Sequence, residues 1–493
     1  MKNDIFIGID MGSTGLKAVA FDGETGLGLA TAGSALPFIR LPEGGCELEA
    51  AAIESTLMQA LQSIASQLGP RAAQVRALSC TGHGAGLYAL DKQGQLLRGR
   101  AVASTDQRAS ARARALALRQ GAELFEEVGF QPWAGQPLLI AAQLYGGDAV
   151  HTGAIHRLLF AKDYLGLLLT GEMATDASDA STGGLLSEQT GTWSRLASCA
   201  ADLSDLGPAT LAPILPSGSI IGTLLPARAA QCGLPAGLPV AISAIDLLAS
   251  LAAVGAPQRG QAVAVLGTWC VNAVVDDQRE AKPAIGGIVN FGAPGRRLYL
   301  ENSPSSMANV SWLARTVGFD SAAQAVDCAM TVPLGAHGLR FMPFINGGGG
   351  PEGASAGFIG LTSHHDRSHM ARAVVDAVAA LHARHLARLA SFGLGVRGRV
   401  AALGGGARDA RLVRLIASFL GHPLERCGDD ETGARGAALY AAQSQGAGLP
   451  QPSIEVVEHD TQEATAHADY YDSFHELVDT LAPAFAQLAE ARQ

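Results

Sequence analysis

The sequence predicts an α/β protein built as two related lobes with a cleft between them. Two observations carry that prediction. Apolar runs of strand length alternate with longer segments whose apolar residues recur at helical spacing, the mark of a layered α/β architecture. A strand, glycine turn and strand also occur twice, at residues 5–21 and at residues 261–275, so the second half of the chain opens as the first does. That repeat lies in the pattern, not in the residues. A chain of 493 residues has room for roughly three units of ~150 residues, or for two large ones.

The first hairpin runs Ile5-Phe6-Ile7-Gly8-Ile9, then Asp10-Met11-Gly12-Ser13-Thr14-Gly15, then Leu16-Lys17-Ala18-Val19-Ala20-Phe21. Its tip holds a carboxylate, two hydroxyls and backbone N–H groups, a set suited to an anion with a bound cation. A plain hairpin with an ordinary Asp at a strand end is the bland alternative. Residues 27–35 predict a third strand and 42–47 a loop. A helix over 49–68 follows, with Ile53, Leu57, Leu61, Ile64 and Leu68 at helical spacing. Residues 75–79 predict a strand that enters the glycine-rich Cys80–Gly86 stretch around His83. The strand resumes at 87–90 and turns at 91–94. Residues 102–108 lead into a long Ala/Arg/Leu helix.

The stretch 121–204 reads as mainly helical, with its best-marked helix at 161–171 and a polar loop at 175–184. Residues 239–245 predict a buried strand and 247–254 a helix, which puts Asp246 at a strand-to-helix junction. The domain boundary is placed just before it, giving an N-terminal domain of residues 1–245 and a C-terminal domain of residues 246–493. The second hairpin turns at Gly267-Thr268. Later come a strand at 341–345 with a glycine loop at 346–351, and a long helix at 366–392. A strand at 400–403 enters Gly404-Gly405-Gly406-Ala407-Arg408, and a helix follows at 410–420. Glycine turns at helix starts let a nucleotide approach closely and aim N–H groups at its phosphates. Residue 430 opens an Ala-rich helix, and a terminal amphipathic helix is expected over 470–492.

Composition narrows the partners. Hydrophobic residues make up 48% and charged ones 16%, which describes a well-cored globular chain rather than a disordered one. The formal net charge of -10 argues against nucleic acid, whose phosphates require a basic surface. The seven cysteines are scattered, an odd number without a Cys-x-x-Cys pair, so neither a disulfide framework nor a zinc site is expected. No signal-peptide anatomy opens the chain, and no apolar run nears the ~18–20 residues of a membrane span. The expectation is a soluble cytoplasmic protein without a membrane partner; a homodimer is compatible with it.

The motifs, each weak alone, are specific as an ordered set. An Asp-x-Gly-Ser-Thr-x-x-Lys hairpin, a strand–Asp–helix junction, a Gly-Thr hairpin and a Gly-Gly-Gly-Ala-Arg loop follow one another. Over about residues 5–445 the sequence resembles the FGGY carbohydrate kinases, and the xylulokinases among them. Gly44-Gly45-Cys46-Glu47 is similar to the family's Gly-Trp-x-Glu, and Thr81-Gly82-His83-Gly84 to a Gln-Met-His-Gly. Ser104-Thr105-Asp106-Gln107-Arg108 is similar to Trp-x-Asp-x-Arg. Lys162-Asp163-Tyr164 and the stretch from Thr175 to Ser181 match further family motifs, and residues 303–312 resemble L-xylulose and erythritol kinases.

The resemblance implies two ribonuclease H-like domains of the actin/hexokinase-like ATPase type flanking a cleft, and ATP with Mg²⁺. It implies transfer of phosphate to a terminal hydroxyl of a small sugar, xylulose first, with erythritol, L-ribulose and glycerol as alternatives. Asp246 would be the catalytic base, in contact with the sugar. Glu47, His83, Asp106 and Arg108 would bind the sugar, and Asp10 the metal. Gly12, Ser13, Thr14, Lys17, Gly267, Thr268, Gly404, Gly405, Gly406, Ala407 and Arg408 would bind ATP and its phosphates. The residues also admit plainer readings: Asp246 as a helix cap, His83 as a turn residue, and His364, His365 and His369 as residues of a helix start rather than metal ligands. An actin- or chaperone-type ATP-binding regulatory protein is the alternative of a different class, and it would have no use for Glu47, His83 and Asp106. The Trp that the family carries near the sugar is replaced by Gly45 and Ser104, which leaves the choice of sugar open.

Overall fold

The computed structural model describes residues 4–12, 15–146, 154–204, 206, 210–255, 257–277, 285–291, 296–428 and 431–491. They fall into two compact units. The first comprises Met1–Ala256, Asp277–Leu298 and Glu431–Pro452, the second Pro257–Asp276, Tyr299–Asp430 and Ser453–Gln493.

The first unit is organised on six strands: β1 (Ile5–Met11), β2 (Gly15–Asp22), β3 (Gly28–Ala35), β4 (Val75–Gly82), β5 (Ile220–Thr223) and β6 (Pro239–Ile242). They lie in the order β5-β6-β4-β1-β2-β3. The hairpin pairs β1 with β2 antiparallel, while β4 runs parallel to β1, and β6 parallel to β4. A strand covered on both faces reads as a continuous apolar run, and β1 does so from Ile5 to Ile9. Ile5, Ile7 and Ile9 pack on one side with Leu57, Leu61 and Ile64 of the Ala50–Leu68 helix. On the other side Phe6, with Phe21 and Ala77, meets Ala434, Ala438 and Ala441 of the Thr432–Ser444 helix. Each buried isoleucine or phenylalanine contributes about 1.5–3 kcal/mol. The small alanines let that second helix lie close to the strand.

Two expectations in this unit are corrected. Residues 42–47 are not simply a loop. A short 3-10 turn at Pro42–Gly44 leads into the strand Gly45–Glu49, which pairs with Ile39–Leu41 and Arg100–Val102. Strand pairing lets the buried Cys46, Glu47 and Leu48 satisfy their backbone groups. The polar stretch 175–184 is partly helical: Asp176 caps a helix at Ala177–Thr182 by accepting the Ser178 and Asp179 N–H groups.

The second unit repeats the opening arrangement. Six strands of its seven-stranded sheet are β7 (Ala262–Leu266), β8 (Cys270–Asp276), β9 (Arg297–Ser303), β10 (Val400–Leu403), β11 (Leu424–Cys427) and β12 (Ile454–Val457), ordered β9-β8-β7-β10-β11-β12. Here too the hairpin's first strand, β7, has its antiparallel partner β8 on one side and a parallel strand, β10, on the other. The Arg367–Ser391 helix starts from a capping box formed by Asp366 and His369. The expected single terminal helix is two, Ala464–Thr480 and Ala482–Glu490. Pro483, which has no N–H to give, sits in the first turn of the second. Among the described residues, no helix is long and apolar enough to cross a membrane.

Candidate active site

In the first unit the parallel strands deliver three segments to one end of the sheet. β1 ends beyond Asp10, which stands opposite Lys17 on β2 and Thr81 on β4. β4 runs out at Gly82 into His83, whose N–H donates to the Met11 carbonyl at 3.0 Å. β6 ends at Ile242, and residues 243–245 lead to Asp246, the first residue of the Asp246–Ala253 helix. Asp246 is not the helix cap: Ile245 occupies that position, and no side chain caps there. The Asp246 carboxylate instead accepts the Leu247 N–H at 2.7 Å.

Burial and charge set the state of both carboxylates. Burial, then the charge of Glu431, raises Asp10 to about 6, with Lys17 opposing. Burial, then the charge of Asp10, raises Asp246 to about 7, with the Leu247 N–H opposing. Lys17 is itself paired with Glu431, Nζ to Oε1 at 2.8 Å. Asp10 Oδ1 is buried without a hydrogen-bond partner. The Thr432–Ser444 helix starts against this carboxylate. A Cβ on Gly433 would lie 2.2 Å from Asp10 Oδ2, so only glycine fits the approach.

His83, Glu47, Asp106 and Arg108 belong to the same unit. Burial lowers His83 to about 4, so the ring is neutral near pH 7; its Nε2 lies 3.3 Å from the Tyr88 hydroxyl. Glu47 and Asp106 are 2% and 1% exposed, and both are held by arginine. Arg108 Nη2 donates to Glu47 Oε1 at 2.8 Å and to Asp106 Oδ2 at 2.7 Å, and Arg100 Nη1 donates to Glu47 Oε2 at 3.1 Å. Asp106 also accepts the Cys46 N–H at 2.7 Å. These groups form one compensated network, as buried charges require.

In the second unit the Gly267–Thr268 turn joins β7 to β8 and is open to solvent at Thr268. The residues after β10, Gly404 to Arg408, lie on it: a Cβ on Gly404 or Gly406 would come within 3.0 or 2.9 Å of the Leu266 carbonyl. The start of the Met307–Val317 helix joins them, with the Ser306 N–H donating to Thr268 O at 2.9 Å and the Met307 N–H to Gly267 O at 3.0 Å. The two glycine segments, 137 positions apart from Gly267 to Gly404, thus meet in space. Ser13 and Thr14 lie outside the described residues; Gly12 donates its N–H to Gly15 O at 3.0 Å.

Two of the three histidines, His365 and His369, serve the fold. His369 completes the capping box with Asp366, and His365 Nδ1 accepts the Thr362 N–H at 3.0 Å. Among the described residues, no group of three or more His, Cys, Asp or Glu side chains could hold a metal ion. Sequence reasoning missed Glu431, Gly433 and Arg100. Glu431 pairs with a lysine 414 positions away, a separation that leaves no local signal. Glycine at a helix start is the one hint for Gly433, since glycine is costly inside helices unless something approaches closely.

The first unit thus presents carboxylates at its parallel strand ends, and the second a pair of stacked glycine turns. The chain belongs to the FGGY family of carbohydrate kinases: the family's N-terminal domain matches residues 5–255 and its C-terminal domain residues 262–444. It is therefore an ATP-dependent carbohydrate kinase. A probable L-xylulose kinase of Haemophilus influenzae is 26% identical over 90% of this chain and 91% of that protein. The xylulose kinase of Escherichia coli is 28% identical over 98% of this chain and 100% of that protein. The crystal structure of xylulose kinase from Rhodospirillum rubrum superposes with a TM-score of 0.84 at 25% identity, covering 98% of this chain and 100% of that chain.

Proposed function

We propose that the protein transfers the terminal phosphoryl group of ATP to a terminal hydroxyl of xylulose, with Asp246 as general base. The observation that carries this reading is the Asp246 carboxylate: half-buried, at a helix start, and raised by burial and Asp10 to about 7. A base poised near the working pH is what abstraction of a hydroxyl proton requires. The Asp246 carboxylate takes the proton of the sugar hydroxyl as that oxygen bonds to the γ-phosphorus; the bond to the bridging oxygen breaks and ADP leaves. Glu47, Asp106 and Arg108 orient the sugar together with neutral His83, which can donate from one ring nitrogen and accept at the other. Lys17, Gly12, Ser13 and Thr14 take up phosphate oxygens. Gly267, Thr268 and Gly404 to Arg408 bind the rest of the nucleotide through backbone N–H groups.

Asp10 fits a divalent cation, because its buried Oδ1 has no hydrogen-bond partner. Mg²⁺ bound there, through one carboxylate and ATP oxygens rather than a full protein cage, would neutralise charge on the phosphates. Xylulose leads because the similar proteins named above are xylulose or L-xylulose kinases. A cytoplasmic setting follows from the same chemistry, since ATP is the donor.

The test is ADP release measured over D-xylulose, L-xylulose, L-ribulose, erythritol and glycerol. Fastest turnover with a xylulose enantiomer supports the assignment. Faster turnover with another member of the panel reassigns the sugar, and no sugar-stimulated turnover overturns the reading.

A further inference from the structure

We propose that Ser178 is a positioning residue for Asp246, its hydroxyl set by the buried Lys162–Asp163–Asp176–Asp179 cluster and holding the backbone that leads to the base. The inference rests on the reading of Asp246 as base. Its first observation is the cluster itself. Lys162 Nζ lies 2.5 Å from Asp163 Oδ1, 3.1 Å from Asp176 Oδ1 and 3.2 Å from Asp179 Oδ2, and all four side chains are essentially inaccessible to solvent. Burial raises Asp163 and Asp179 against the pull of the ammonium. Burial lowers Lys162 in turn, and the three carboxylates more than reverse that. Three buried carboxylates around one ammonium are a poor way to gain stability, because the desolvation cost rivals the attraction. They are a good way to fix one geometry.

The second observation is where that geometry leads. Asp176 Oδ2 accepts the Ser178 hydroxyl at 2.7 Å and the Ser217 hydroxyl at 2.9 Å. With its proton so directed, Ser178 Oγ accepts the N–H of Ile245 at 3.0 Å. Ile245 is the residue before Asp246. One residue earlier, the Ala244 carbonyl accepts the Thr81 hydroxyl at 2.7 Å. Residues 243–245 belong to no strand or helix, so side chains from elsewhere supply the bonds that a ladder would otherwise give. The base is thus aimed by two hydroxyls, one of them wired to a buried charge cluster.

The same short helix contains its own control. Ser181 is as buried as Ser178 and makes the same pair of bonds, donating to Ile288 O at 3.1 Å and accepting the Asn290 N–H at 3.1 Å, but its partners are not on the segment of the base. The experiment compares the full-length wild type with Ser178→Ala, Ser181→Ala and Asp246→Asn, using ATP and the panel sugar that the wild type turns over fastest. Ser178→Ala should lower kcat by about 10- to 100-fold, the scale of a displacement of about 1 Å at a reacting group, with KM for ATP within about twofold. Ser181→Ala, with a comparable loss in Tm, should keep kcat within about threefold of wild type. If Ser178→Ala does not fold, Asp176→Asn, which keeps the shape and removes the charge, should give the same split. Equal kcat losses in the two serine variants overturn the inference, as does wild-type kcat in Ser178→Ala alongside an inactive Asp246→Asn. Wild-type turnover in Asp246→Asn overturns the base reading instead.

Discussion

Asp246 and Asp10 are carboxylates that the fold holds against their ordinary tendency to ionise. Their folded pKa values, about 7 and about 6 against 3.8, mean that the native state binds protons which the unfolded chain has already lost. Stability from this source is complete below about pH 4. It is lost as pH rises through about 6 and about 7, the folded values of Asp10 and Asp246. Asp246→Asn should therefore raise Tm at pH 8, by an amount equivalent to about 2 kcal/mol after allowing for partial exposure, and that gain should vanish near pH 4. Thermal melts of both proteins across the range check the sign. For wild-type turnover, the same pKa predicts a kcat that falls as pH drops through about 7. Arg108 is the other residue whose chemistry is specific. Its guanidinium bridges two almost fully buried carboxylates, Glu47 and Asp106, and an ammonium cannot reproduce that fork. Arg108→Lys should cost about 3 kcal/mol in urea unfolding and raise KM for the sugar; a loss under about 0.5 kcal/mol would deny the pair its structural role.

At the scale of elements, the close approach of the Thr432–Ser444 helix to β1 sets the surroundings of Asp10. Gly433→Ala places a methyl carbon 2.2 Å from Asp10 Oδ2, so the helix or the carboxylate must move. A destabilisation of about 1–3 kcal/mol is expected, with a larger proportional fall in kcat than in stability. An unchanged kcat would mean that the helix start does not set the position of Asp10. Gly45 is a comparable case. A Cβ there would lie 2.8 Å from Leu41 Cβ and 3.1 Å from Arg108 Nε, so the tryptophan of the family motif has no room beside this arginine network.

What the sequence made legible at this scale follows the range of the forces. The two hairpins, the strand–Asp246–helix junction and the glycine loop at 404–408 are local patterns, and each stands where the pattern put it. Residues 45–47 carry the local signal of a loop, and it is pairing with residues 39–41 and 100–102 that makes Gly45–Glu49 a strand. Ser178 carried no sign of its bond to Ile245, 67 positions away.

For the whole molecule, composition already argued against nucleic acid as a partner, because a net charge of -10 does not suit a polyanion. Neither unit is a single stretch of chain: Glu431–Pro452 folds with the first unit although its sequence neighbours on both sides belong to the second. That return brings Glu431 to Lys17 and Gly433 to Asp10. With proton removal proposed for Asp246 in the first unit and nucleotide binding largely for the glycine turns of the second, one substitution should separate them. The most direct measurement is kcat and ATP affinity of Asp246→Asn with the best panel sugar. The prediction is a fall in kcat of about 10³-fold or more with Kd for ATP within about twofold of wild type; turnover near the wild-type rate would contradict it.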